Sequence, residues 1–159
     1  MKKKFLSLFF IFFLTDVLAL DKENIIRNLS SIENLNFDFE QNINGKLENG
    51  KCTIQYPKKI FCKYDLGNKK VLVSDGKSLV IKTLSSYYIY PLKKTPLNLI
   101  LDKKYIIKKI KNSEKKTIDN NFIYFKFVEN GNTISVFFSR KNYNLIGWQT
   151  IDTYQNLSI

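Results

Sequence analysis

Residues 71–101 read VLVSDGKSLVIKTLSSYYIYPLKKTPLNLIL. A strand over 71–74 meets Asp75-Gly76, and a second strand over 78–84 follows. Asp and Gly tolerate the positive φ of a tight turn, so strand, DG, strand predicts a hairpin. A third strand is expected over 87–92. Thr95-Pro96 then predicts a helix start, a cap oxygen followed by a ring that needs no N–H donor. Leu97, Leu99, Ile100 and Leu101 make that helix short and apolar. The block therefore joins an antiparallel sheet to a greasy helix.

Upstream, Asp21 is expected to cap a helix over residues 22–31, with Ile25, Ile26, Leu29 and Ile32 at helical spacing on one face. The period then drops to two. Phe37, Phe39, Gln41 and Ile43 alternate with Asp38, Glu40 and Asn42, the pattern of a half-buried strand. Asn44-Gly45 or Asn49-Gly50 turns the chain, and strands over 51–56 and 59–64 flank Pro57-Lys58. Downstream, strands are expected over 105–111, 122–128, 133–140 and 145–154, separated by Asn- and Gly-rich turns. Connections this short imply an antiparallel meander. The fold class is mainly β: one large, strongly curved sheet with few helices to cover it. The last residues alternate and stop without a closing turn, so either the final strand is an edge or the chain as given is incomplete.

The N-terminus reads as a targeting segment. Met1-Lys2-Lys3-Lys4 is a positive start, 5–14 a short apolar run, and Val17-Leu18-Ala19 a cleavage site. About ten apolar residues fall well short of the ~20 that span a bilayer. Residues 1–19 are therefore expected to be a cleaved signal peptide and 20–159 a single soluble domain. Leu20 stands where a lipid-anchored protein would need a Cys.

The full chain carries a net charge of +12. Only two arginines occur, Arg27 and Arg140, although Arg suits bidentate phosphate and base contacts best. No nucleic-acid partner is expected. There is no histidine, and two cysteines are too few for a structural zinc site, so neither metal nor cofactor is expected. No nucleophile elbow, P-loop or zinc-protease motif is present, and the chain is not expected to be an enzyme. Asp75 is read as a turn residue rather than a catalytic carboxylate.

Aromatics cluster on alternating strand positions: Phe37 and Phe39, Tyr88 and Tyr90, Phe125 and Phe127. They form either a packed β core or the lining of a cavity that a curved, thinly covered sheet leaves unfilled. The run 103–116, KKYIIKKIKNSEKK, is either a solvated edge strand and loop or a docking surface for an anionic face, with Lys108, Lys109 and Lys111 as its contacts.

Several strings, in order, resemble the outer-membrane lipoprotein carrier family LolA. They are Phe39-Glu40-Gln41, then Gly50, Ile54 and Tyr56-Pro57, then residues 60–64. Val73-Ser74-Asp75-Gly76-Lys77-Ser78-Leu79 follows, and then Tyr90-Pro91-Leu92-Lys93-Lys94-Thr95-Pro96-Leu97. The likeness spans about residues 21–155 and its last string looks alphaproteobacterial. It implies a half-open β-barrel with short helices as a lid over an apolar cavity. It also implies a periplasmic, monomeric carrier of acylated lipoproteins, loaded by an inner-membrane transporter and unloaded by an outer-membrane receptor. A sensor of lipid or lipoprotein on the same fold is the alternative. The cavity would be lined by Phe39, Ile54, Tyr56, Ile60, Tyr64, Tyr88 and Tyr90, with Leu97 and Ile100 on the lid.

Two departures stand out. Tyr56 replaces the arginine that in the family ties sheet to lid; a phenol donates one hydrogen bond where a guanidinium donates five. Members also usually extend past Ile159, and a missing last strand would leave a bare sheet edge. Cys52 and Cys62 stand where relatives often carry large apolar residues. With Pro57 at the hairpin centre they face each other, as do Ile54 and Ile60. A disulfide is expected, since the periplasm permits it; two small buried thiols are the alternative.

Overall fold

The computed structural model describes residues 14–65, 69–118, 120–151 and 157–158. The chain begins with α1 (Leu14–Ser31) and continues through β1 (Asn34–Ile43), β2 (Lys46–Gln55), β3 (Lys59–Tyr64), β4 (Val71–Asp75), β5 (Ser78–Lys82) and β6 (Tyr87–Pro91). A 3₁₀ turn, Leu92–Lys94, leads into α2 (Leu97–Ile100) and α3 (Lys103–Asn112). β7 (Lys116–Ile118), β8 (Phe122–Glu129), β9 (Asn132–Ser139), β10 (Leu145–Ile151) and β11 (Leu157–Ser158) follow.

The strands form one antiparallel sheet in the order β6-β5-β4-β3-β2-β1-β11-β10-β9-β8-β7. Its two ends are β6 and β7, which are consecutive in the chain. The helical segment between them must therefore travel from one edge of the sheet to the other. It does so across the inner face, where its apolar side chains join those of the strands.

Local chemistry sets the register. Asn44 and Gly45 both take positive φ, +50° and +86°, as a two-residue hairpin requires, and Asn42 Oδ1 accepts from Gly45 N at 2.8 Å. This turn fixes β1 against β2 over ten pairs, and Asn49-Gly50 lies inside β2 instead of turning the chain. Around Pro57-Lys58, Cys52 faces Cys62 and Ile54 faces Ile60, the pairing read from the hairpin centre. The two cysteines are disulfide-bonded, with Cα atoms 4.1 Å apart. At the Asp75 turn, the Asp75 carboxylate accepts the backbone N–H groups of Lys77 and Ser78, each at 2.8 Å. These bonds hold its pKa below the usual carboxylate value, and Gly76 takes φ +98°.

Four expectations are corrected. The run over 105–111 is helix, not strand. Asp102 caps α3 by accepting from Tyr105 N at 3.0 Å, and Ile106 and Ile110, one turn apart, are fully buried. Asp21 caps nothing, because α1 extends through it and its carboxylate is buried against Lys115 and Tyr143. Thr95 donates its hydroxyl to Leu92 O at 2.8 Å and closes the 3₁₀ turn, leaving Pro96 to precede α2. The final strand is internal: Ser158 pairs with Ile43 on one side and Thr150 on the other. The start of the expected signal peptide, residues 1–13, and most of the stretch after Ile151 lie outside the described residues. The predicted cut after Ala19 falls within α1.

Candidate binding face

Because side chains alternate along a strand, the register alone identifies the inner face. One row crosses it as Leu35, Ile54, Ile60, Ser74, Leu79 and Tyr90; the next as Phe37, Cys52, Cys62, Leu72, Ile81 and Tyr88. A third begins Phe39, Gly50, Tyr64. On the far side of β11 the same face continues through Trp148, Val136 and Phe125.

Two apolar clusters occupy this face. The first joins α1, α2 and α3 to β8 and β9, through Ile25, Leu29, Ile100, Ile106, Phe125 and Phe138 among others. The second joins β2, β3 and β5 to the crossing segment, through Ile54, Ile60, Leu79, Leu92 and Leu101. Leu97 and Trp148 pack against both. Trp148 meets Phe37 edge-on, with ring centroids 6.2 Å apart.

The expected lining residues divide by position. Ile54, Ile60 and Tyr64 are buried on the second cluster, Phe39 and Tyr56 are half-buried against it, and Leu97 and Ile100 lie on α2 above the face. Tyr88 and Tyr90 lie on the inner face by register, yet remain 50% and 43% exposed. Their strand is the sheet edge, and the helical segment leaves from its end without covering it. Sequence reasoning missed Leu92, Leu101 and Trp148 as members of this face; the lone tryptophan on an alternating strand was the signal available.

The Phe39-Glu40-Gln41 string has a local explanation. Phe39 packs edge-on to Tyr64 with centroids 5.0 Å apart, and Gln41, two residues on, accepts from the Tyr64 hydroxyl at 3.2 Å. Burial, reinforced by Glu48, pushes the Tyr64 phenol up to about 12. Lys70 lies over the Tyr64 ring at 4.1 Å and pairs with Glu48 at 2.6 Å.

The segment between β6 and α3 is attached at both ends by backbone bonds. Leu92 N donates to Lys77 O at 2.8 Å, beside the Asp75-Gly76 turn. Leu101 O accepts from Lys58 N at 2.9 Å, in the β2–β3 turn. Ser74 Oγ donates to Lys58 O at 3.0 Å and so joins the two turns.

Tyr56 closes the inner face at the β2–β3 turn. Its backbone N–H donates to Glu33 O at 2.9 Å, and the Lys103 ammonium stands 5.7 Å from its ring centre. Beside it lies an open polar cleft of about 580 Å³, with Glu33, Lys58, Asp102, Lys103 and Lys104 on its walls. The Tyr56 hydroxyl is buried and is the single such side-chain atom without a hydrogen-bond partner among the described residues.

The expected docking lysines sit on a helix. Lys108 and Lys111 are exposed, and Lys104 extends the same stripe one turn back. Lys109 instead pairs with Glu129 at 2.8 Å, and that carboxylate also accepts from the Tyr105 hydroxyl at 2.8 Å.

This geometry defines a protein of the antiparallel-sheet class, with an apolar face under a short helical crossing. Its family follows from comparison with known proteins. The model of the family described as outer membrane lipoprotein carrier protein LolA matches residues 30–159, and the chain belongs to that family. Members are periplasmic lipoprotein carriers rather than enzymes. No curated protein sequence matches the chain. Among solved structures it is similar to a LolA superfamily protein from Nitrosomonas europaea, at 8% identity and a TM-score of 0.43, over 86% of this chain and 75% of that one.

Proposed function

We propose that this protein is a periplasmic carrier that holds the acyl chains of lipoproteins on its inner face and shuttles them from the inner to the outer membrane. Residues 1–19 direct export, and residues 20–159 act as a monomeric carrier. The sheet is a half-open barrel and the Leu92–Leu101 crossing is its lid. Phe39, Ile54, Tyr56, Ile60 and Tyr64 line the cavity, Tyr88 and Tyr90 its mouth, and Leu97 and Ile100 the lid. Partners are the acylated lipoprotein, an inner-membrane releasing transporter and an outer-membrane receptor.

The observation that carries this reading is the lid's attachment: an apolar segment held over an apolar face by one backbone bond at each end. Magnitudes favour exchange of lid for ligand. Burying the Leu92, Leu97 and Leu101 side chains is worth about 6 kcal/mol in total, at ~2 kcal/mol each. A sixteen-carbon acyl chain is worth on the order of 12 kcal/mol, at ~0.8 kcal/mol per CH₂. The chain can displace the leucines with a surplus, and their return helps to expel it at the receptor. An empty carrier meanwhile hides its apolar face from water.

The test adds purified mature protein to spheroplasts that retain outer-membrane lipoproteins. A soluble one-to-one complex in the supernatant is expected. Binding of acylated peptide without release indicates the sensor, and no binding removes the reading altogether.

The α3 stripe supplies a docking surface in this scheme. Lys104, Lys108 and Lys111 recur one helical turn apart and face solvent, where an anionic membrane or transporter surface would meet them. Lys108→Glu with Lys111→Glu is expected to slow loading at least fivefold at low salt while leaving the urea midpoint in place. Equal loading rates would remove the docking role.

A further inference from the structure

The Tyr56 hydroxyl is a donor sealed from solvent with no acceptor in reach among the described residues. Leaving such a group unpaired costs the folded state free energy, which an acceptor arriving from outside would recover. Its surroundings limit what that acceptor can be. The ring packs on the apolar cluster of Ile54, Ile60 and Leu101, where a hydrocarbon tail would lie. Tyr56 also borders the open cleft of Glu33, Lys58, Asp102, Lys103 and Lys104, in which Lys58 pairs with Asp102 at 3.7 Å. Lys103 is a donor and already gives hydrogen bonds to Ser30 O and Ile32 O, at 2.9 and 2.6 Å. Tyr56 thus stands at the seam between an apolar compartment and a polar exit. A ligand that spans such a seam is apolar at one end and polar at the other, and the junction of an esterified acyl chain is a carbonyl.

We propose that the Tyr56 hydroxyl donates to the ester carbonyl at the head of a bound acyl chain, with the tail on the inner face and the head group leaving through the charged cleft beside it. The inference rests on the carrier reading and adds the group that fixes how deep the chain sits. A carbonyl suits this hydroxyl because it accepts a hydrogen bond and brings no donors that need partners of their own. Burial pushes the phenol up to about 12, so it remains a donor throughout the physiological range. An arginine at this position would reach several acceptors of the lid; a tyrosine reaches one atom.

The test compares two synthetic lipopeptides of equal chain length, one with ester-linked palmitoyl chains and one with ether-linked hexadecyl chains. Trp148 is the sole tryptophan and packs against both clusters, so its fluorescence reports occupancy of the face. The wild-type protein is expected to prefer the ester by about fivefold, the size of one neutral hydrogen bond. In Tyr56→Phe the preference should fall to one. The free Tyr56→Phe protein should melt no earlier than wild type, since it loses an unpaired hydroxyl and no contact. A preference that survives in Tyr56→Phe, or is absent in wild type, overturns the inference while leaving the carrier standing. A markedly lower melting temperature also overturns it, by showing that the hydroxyl already has a partner. Failure to bind either lipopeptide removes the carrier reading and this inference together.

Discussion

Replacing Gly50 with alanine lowers the free energy of unfolding by about 3 kcal/mol, the upper range for forcing atoms into a packed interior. Gly50 lies in β2, paired with Phe39 on one side and Tyr64 on the other. A Cβ there would stand 2.8 Å from Phe39 Cε1 and 2.9 Å from Tyr64 Cα, and would also press on the Lys63 carbonyl oxygen. Two of these three neighbours are backbone, so no rotamer change clears the space. The strand must retreat, which breaks the β2–β3 ladder beside the disulfide and spoils the edge-on contact of Phe39 with Tyr64. Urea denaturation of wild type and Gly50→Ala measures the loss, and a difference under 1 kcal/mol would sink the explanation. A control separates side chain from backbone: Phe39→Leu in the Gly50→Ala background should recover only a minor part, because Lys63 and Tyr64 remain in place.

Gly50 also illustrates what could be read before the fold was known. Asn49-Gly50 carries the signature of a turn, yet it lies mid-strand. Turn propensity is local, whereas this glycine answers to the Phe39 ring on one neighbouring strand and to the backbone of Lys63 and Tyr64 on the other. The same division runs through the molecule. The Asp75-Gly76 hairpin and the facing of Cys52 and Cys62 depend on contacts a few residues apart, and both stand as expected. The reading of 105–111 as a strand failed for a physical reason. Tyr-Ile-Ile is aromatic and β-branched and favours strands, but the spacing of Ile106 and Ile110 and the cap at Asp102 favour a helix, and burial against Phe125 and Phe138 decides between them. Of the five lysines of that helix, Lys104, Lys108 and Lys111 then read as its solvent face. At the binding face, Ile54, Ile60 and Tyr64 follow from alternation on a hairpin of known register. Leu92 and Leu101 do not, because their burial depends on a segment that runs from one sheet edge to the other. Tyr88 and Tyr90 show the opposite error: alternation gave them the right face, but only the strand order reveals that they lie at its uncovered margin.

Substituting Lys115 with methionine is expected to cost about 3 kcal/mol at neutral pH, as removal of one member of a buried ion pair does. Lys115 Nζ lies 2.6 Å from Asp21 Oδ2, with side-chain exposures of 10% and 6%, and the Tyr143 hydroxyl donates to the other Asp21 oxygen at 2.9 Å. Three elements therefore meet at one carboxylate: α1, the segment after α3, and the β9–β10 turn. Burial pushes the Asp21 pKa up, but hydrogen bonds from Lys115 and Tyr143 and the charges of Lys115 and Arg140 outweigh it, and the net shift is downward. A folded-state pKa below the unfolded value stabilises the protein above the unfolded pKa, near 4, and that contribution is lost as pH falls through the folded value. Wild type should accordingly weaken below about pH 4 through this group. In Lys115→Met the Tyr143 hydrogen bond and the Arg140 charge remain but the nearest cation is gone, so the carboxyl protonates at a higher pH than in wild type. The gap between the two proteins should then narrow as pH falls from 7 toward 4. Urea midpoints at pH 7, 5.5 and 4 test the pair, and a gap constant across that range would refute the ionic account. Asp21→Asn combined with Lys115→Met should recover part of the loss, because it removes the stranded charge along with its partner. The position of this pair matters for the carrier, since it fastens α1 and the end of α3 to the sheet. In the proposed carrier, with those elements fixed, movement would fall to the Leu92–Leu101 crossing, which one backbone bond attaches at each end. Loosening Asp21 should therefore reduce stability before it alters acyl-chain affinity, whereas changes at Leu97 should do the reverse.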